Sequence, residues 1–388
     1  MRRIYISELL FSLIRCELKG EKLSNEIKQE LNDENLKKLY SLSDFHDCAH
    51  LLFNPIAQSG AVTPDNEYYK KFQKKQMLAL FQISQFEFEL KQITACLDKN
   101  HIPFILLKGS VLRNLYPQPW MRTSCDIDIL VHEKDLDRAV DCLKTELLYI
   151  QKGEKDFHDI SLYSPTEVQL ELHFSLKEEM ENVDGLLDKV WDYSVKKDSS
   201  FEYVPETEFF IFHIVSHCAY HFVNGGCGIR PFIDLWFIEK NYKYDREKLN
   251  GLLEKCSLKS FFENALILSR VWMENEKHTP LTERMELFVF GGGSYGTREN
   301  AISLRSSKKK NRFVYILSRA FPTYSSMKIR YPVLEKRRIL LPFYYAKRFI
   351  ELLTGKKNEK AFFELKTTMN IDGDKNNEMT DLIKSLGL

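Results

Sequence analysis

The stretch LLKGSVLRNLYPQPWMRTSCDIDILV, residues 106–131, decides how this chain is read. It grows out of a short apolar run, IPFILL (102–107), which follows Asn100 and suits a buried strand. GSVLRNLY (109–116) reads as a helix opened by glycine and serine, and PQPWMRTS (117–124), with Pro117 and Pro119, reads as a loop. DIDILV (126–131) alternates strictly, as a half-buried strand does. Successive strand side chains take opposite faces, so Asp126 and Asp128 share one face and Ile127, Ile129 and Val131 the other.

Downstream, EKDLDRAVDCLKTEL (133–147) has the spacing of a helix. DISLYS (159–164) and EVQLELHF (167–174) read as a hairpin turning at Pro165 and Thr166. In its second strand Val168, Leu170, Leu172 and Phe174 form an apolar face, which leaves Gln169, Glu171 and His173 on the other. Asp126, Asp128 and Glu171 can therefore gather on one surface of a sheet. Carboxylates crowded in this way either raise a pKa or recruit a cation. Magnesium suits them, because it takes carboxylate oxygens and keeps waters and phosphates as further ligands. Gly109 lets a backbone approach a phosphate, Ser110 can donate a hydroxyl, and the helix start offers free N–H groups. Lys108 and Arg122 add positive charge nearby.

The order strand, Lys-Gly-Ser, helix, arginine, Asp-x-Asp strand and later acidic strand resembles the polymerase-beta-type nucleotidyltransferase superfamily. More narrowly, residues 106–131 look like a bacterial family described as uncharacterised nucleotidyltransferases, which also shows an acid-x-His step like Glu171-Leu172-His173. The likeness is strongest over residues 100–175 and extends more loosely to His217, Arg230, Asp234 and the late YPVLEKRRILLP stretch. The interval from Gly109 to Asp126 is longer than in many superfamily members.

This resemblance implies an α+β fold with a polymerase-beta-like core of small mixed sheet and flanking helices. It implies that Asp126 and Asp128 bind two magnesium (or manganese) ions. Glu171 would hold one of them and help activate the acceptor. Lys108, Gly109, Ser110 and Arg122 would hold the phosphates of an NTP, here the substrate, and ATP binding is expected. His173 would orient Glu171 or touch substrate, and His217, Arg230 and Asp234 would serve the acceptor or support the ligands. The expected reaction moves an NMP to an acceptor hydroxyl on RNA, a protein or a phosphorylated small molecule. Two alternatives stand beside it: a catalytically inactive nucleotide-binding or partner-binding module, and a membrane-surface enzyme of glycan or polysaccharide synthesis.

Three regions are expected: a helical N-terminal region (1–98), the nucleotidyltransferase core (99–200), and a helical C-terminal region with a basic tail segment (201–388). The 388 residues are 44% hydrophobic and 13% aromatic, which fits a packed protein with a sizeable core rather than a disordered one. No stretch approaches the ~20 apolar residues of a membrane span. Glu8 breaks the apolar run at the N-terminus, which reads as an amphipathic helix, so a cytoplasmic protein is expected. Eight cysteines without a CxxC pair read as free thiols.

The net charge is +1, yet residues 305–348 carry thirteen Lys or Arg and one acid, Glu335. That segment reads as a solvated face, or as a surface for phosphates, RNA or anionic lipid, with peripheral membrane contact included. Its aromatics Tyr315, Phe321, Tyr324 and Tyr331 read as the stripe of amphipathic helices, with base stacking the alternative. The spacing of His213, His217 and His221 puts them on one helical face, where no acid completes a metal set. Arg230 and Asp234, one turn apart, are placed to form an ion pair. Residues 54–66, and the glycines from Gly291 to Gly296, read as loops, the latter a flexible connection.

Overall fold

The computed structural model describes residues 5–388, apart from Glu154, Tyr295, 308–320, 325–326, 329–330, 332, 355–365 and 369–372. The chain opens with five helices: α1 (Ile6–Lys19), α2 (Asn25–Gln29), α3 (Asp33–Phe45), α4 (Phe53–Ser59) and α5 (Glu67–Lys99). Side-chain oxygens of Ser24, Asn32 and Asn66 cap α2, α3 and α5 by accepting from free first-turn N–H groups. The expected loop at 54–66 is corrected in its first half. Pro55 lies in the first turn of α4, where its missing N–H has no helical partner to lose, and Gly60 closes that helix with a φ of 67°.

The sheet follows. Strand β1 (Phe104–Leu106) leads through α6 (Lys108–Leu112) to β2 (Asp126–Val131), and α7 (Leu136–Glu146) leads on to β3 (Ile150–Gln151). The hairpin β4 (Asp159–Tyr163) and β5 (Gln169–His173) precedes α8 (Glu181–Leu187), and the strands β6 (Ser194–Lys196) and β7 (Glu202–Pro205) end the sheet. The order across it is β3-β4-β5-β2-β1-β7-β6. Strands β2 and β5 run parallel, as do β1 and β7, and the other pairs run antiparallel, so the fold is α+β with a mixed sheet. Strands β3, β6 and β7 have only two to four residues, too few for alternation to reveal them in sequence.

The sheet separates two apolar cores. Ile127, Ile129, Val131, Leu170 and Leu172 pack with α7 and the end of α5. Ile105 and Leu130 face the other way, into a larger core. That core joins the N-terminal helices to α9 (Thr207–Val223), α10 (Arg230–Asn241), α11 (Arg246–Lys255), α12 (Lys259–Glu274) and α13 (Pro280–Gly292). Helix α9 is buried on nearly every side, as its run of Phe, Ile and Val requires.

The flexible connection expected at Gly291–Gly296 is corrected. Gly292 still belongs to α13, and Ser294 bonds both the Phe45 carbonyl and the Gly228 N–H. A Cβ on Gly296 would stand 2.5 Å from the Gly225 carbonyl carbon, so the glycines here serve close backbone packing. None of the eight cysteines is in a disulfide. Among the described residues no helix is long and apolar enough to cross a membrane. In the basic tail the reading for Tyr315 falls outside the described residues. Phe321 is exposed beside Tyr345, the Tyr324 hydroxyl donates to the Leu334 carbonyl, and Tyr331 packs on Tyr344.

Candidate active site

Strand register sets the acidic face. Parallel pairing of β2 with β5 places Asp128 beside Glu171 and Asp126 beside Gln169. Antiparallel pairing of β4 with β5 places Asp159 opposite His173. His173 Nε2 lies 2.9 Å from Asp128 Oδ1 and 3.7 Å from Glu171 Oε2, while Gln169 donates to Glu171 Oε1 at 3.1 Å. One donor atom from each of Asp128, Glu171 and His173 falls within 4.8 Å of the others.

The Lys-Gly-Ser step arrives beside these acids because the Leu107 N–H donates to the Asp128 carbonyl at 3.1 Å. Lys108 then adopts a φ of 38°, in the left-handed region that side-chain-bearing residues rarely occupy. Its Nζ lies 3.4 Å from Asp128 Oδ1. Strain of this kind tends to persist at functional sites. Gly109 is packed closely, since a Cβ there would meet Arg122 Nη1 at 2.9 Å and Ser124 Oγ at 3.2 Å.

The three carboxylates differ in charge state. Burial pushes Glu171 up to about 7, and the charges of Asp126 and Asp128 add to that. Burial, then the Asp128 charge, also raises Asp126. Asp128 goes the other way. Burial alone would raise it, but the Lys108 ammonium and the His173 hydrogen bond together hold it well below the usual carboxylate range. Lys108 is in turn raised: burial favours its neutral form, but Asp128 and then Glu178 outweigh it.

A cavity of about 420 Å³ opens on this face, lined from the sheet by Lys108, Gly109, Asp126, Asp128, Glu171 and His173. Its opposite wall is α9, where His213, His217 and His221 recur one turn apart, as their spacing predicts. His217 Nδ1 lies 2.5 Å from Glu178 Oε1, and His221 Nε2 lies 3.1 Å from His217 Nε2. Burial lowers all three, His213 and His221 to about 3, with Lys108 adding to the effect on His213 and His217 and His217 adding to that on His221. The three imidazoles are therefore held toward their neutral form, with the Glu178 carboxylate beside His217. His213 Nε2 is buried and has no hydrogen-bond partner among the described residues.

Other expected residues are placed differently. The Arg230–Asp234 pair does not form. Asp234 accepts from Arg122 Nε at 3.0 Å, Arg122 Nη2 at 2.9 Å and the Tyr116 hydroxyl at 2.8 Å, while Arg230 pairs with Asp47. A buried guanidinium so close outcompetes a helical neighbour. All three of Arg122, Arg230 and Asp234 nonetheless line the cavity. Ser110 is 3% exposed and does not line it, and its Oγ has no partner among the described residues. His173 hydrogen-bonds Asp128, lies 3.7 Å from Glu171 and lines the cavity.

Two residues escaped the sequence reading. Asp159 alternates with Ser161 on the polar face of β4, so the hairpin register could have revealed it. Glu178, the acid that completes the histidine face, lies on an irregular segment with no periodic signal.

A family model described as "uncharacterised nucleotidyltransferase" matches residues 32–274, more than half of the chain. No curated protein matches.

Proposed function

Since the chain belongs to the uncharacterised nucleotidyltransferase family, we propose that it transfers an NMP from an NTP to an acceptor hydroxyl and releases pyrophosphate. The observation that carries this is the β2–β5 register, which sets Asp128 beside Glu171 at a cavity shared with Lys108 and Gly109.

The donor set fits divalent magnesium or manganese. It offers oxygens from Asp128 and Glu171, which lie close together, with Asp126 on the same face of β2; burial, and then the charges of Asp126 and Asp128, raise Glu171 to about 7, a cost that a cation relieves. When bound, such ions polarise the transferred phosphate and favour the deprotonated attacking hydroxyl. Lys108 brings a cation toward the phosphates, and Gly109 offers a backbone surface free of a side chain. The neutral histidines of α9 offer hydrogen bonds to the acceptor across the cavity. Its volume falls within the roughly 300–1,000 Å³ usual for small-molecule sites. The reaction then rests on positioning and charge neutralisation. RNA, a protein side chain or a small molecule each supply a suitable hydroxyl.

One observation favours a second reading, a module that binds nucleotide without turnover. Lys108 and His173 both engage Asp128 Oδ1, an oxygen that a catalytic metal ion would need. The test is incubation with an α-phosphate-labelled NTP, magnesium and a cell extract, comparing wild type with the Asp126→Ala/Asp128→Ala double variant. Label should reach an acceptor with wild type alone. Equal labelling with both proteins would refute a catalytic role for these residues. Magnesium-dependent nucleotide binding without transfer would establish the second reading.

A further inference from the structure

His158 and Asp159, which the magnesium chemistry above does not use, form a second cluster with His173, the residue it shares with the carboxylate site. It comes from strand register: Asp159 on β4 lies opposite His173 on β5, and His158 precedes Asp159. His158 Nε2 lies 2.9 Å from Asp159 Oδ2, and the rings of His158 and His173 stack with centroids 5.5 Å apart. One donor atom from each residue comes within 4.8 Å of the others.

We propose that these three residues form a second metal site, for a late first-row divalent ion of the zinc, cobalt or nickel class. Two imidazoles and one carboxylate suit such ions better than magnesium, whose preference is for oxygen alone. Bonds of about 2.0–2.2 Å in a tetrahedral site put ligand atoms roughly 3.4 Å apart, so closure needs movements of about an ångström. His158, which lines the cavity, and Asp159 beside it can make them, with side chains 28% and 14% exposed. His173 is anchored, 4% exposed and bonded to Asp128. A carboxylate partner on a ligating imidazole is the usual way of fixing its orientation. His158 Nδ1 is buried without a hydrogen-bond partner among the described residues, so no bond there ties the ring to one rotation.

Three protein ligands leave a coordination position open, as sites that act on a substrate do. Because His158 and His173 both line the cavity, that position faces the same space as the carboxylates. The assignment stands or falls separately from the transfer reaction, because its test reads metal binding alone.

The test uses the full chain, saturated with magnesium to fill the oxygen site, and titrated with Co²⁺ while its visible absorption is recorded. Wild type should bind one Co²⁺ with the intense bands of a low-coordinate nitrogen-containing site, and Zn²⁺ should displace it. His158→Gln and Asp159→Asn should each weaken Co²⁺ binding at least about tenfold. His221→Ala, which removes an imidazole from the opposite wall, should leave binding within about threefold. Absence of Co²⁺ binding, equal binding by wild type, His158→Gln and Asp159→Asn, or an equal loss in His221→Ala would overturn the assignment.

Discussion

Asp128 and Glu171 are paired across two strands, yet they hold their protons very differently. Lys108 and His173 keep Asp128 ionised in spite of its burial, whereas Glu171 is pushed from 4.5 to about 7 by burial and by the two aspartates. A carboxylate raised in the folded state contributes stability that is complete below its unfolded value. That contribution disappears as pH climbs through the folded value. Metal-free protein should therefore lose stability from near pH 4.5 up to about 7. Magnesium needs the ionised form, so its affinity should rise over the same interval. Thermal unfolding with and without magnesium across that range checks both trends, and Glu171→Gln should flatten them. Replacing Asp128 by Asn takes the negative charge from the proposed metal ligand and from the partner of both Lys108 and His173. Several kcal/mol of lost transition-state stabilisation corresponds to at least about a hundredfold less transfer. Circular dichroism should show the fold retained; undiminished transfer by folded Asp128→Asn would exclude the proposed role.

At the scale of elements, the cavity keeps its shape because α10 is tied to the loop before β2. Asp234 takes bonds from Arg122 and Tyr116, and all three side chains are buried. Asp234→Ala strands a buried guanidinium, which should cost about 3–5 kcal/mol, read as a lower urea midpoint. Pairing it with Arg122→Met removes the orphaned charge and should recover part of that loss. The packing of Gly292, Ser294 and Gly296 on Gly225, Gly226 and Gly228 is a second tie. Gly296 has a φ of 75° and backbone 2.5 Å from where a Cβ would sit. Gly296→Ala should destabilise by more than about 1 kcal/mol, and an unchanged melting temperature would show that this contact gives way easily.

For the molecule as a whole, the cavity lies between the sheet and the helices α9 and α10, and one apolar core joins those helices to the N-terminal ones. A ligand that binds only the folded chain should stabilise all of it. An NTP with magnesium at a hundred times its Kd should add about 2.7 kcal/mol, seen as a rise in Tm, and Asp126→Ala/Asp128→Ala should lose that rise. Alternation in DIDILV and EVQLELHF, and the Lys-Gly-Ser step between strand and helix, were enough to mark the acidic face from sequence, because strand side chains obey a period of two whatever surrounds them. The helical face of His213, His217 and His221 was legible for the same kind of reason. Sequence alone could not assign partners, because pairing across the fold depends on which groups burial brings together. Tertiary structure gave Asp234 to Arg122 instead of Arg230, supplied Glu178 to His217, drew His173 to Asp128, and turned a glycine run into a packed contact. In each case a buried polar group took the partner within reach in space, at a distance in sequence that local periodicity does not encode.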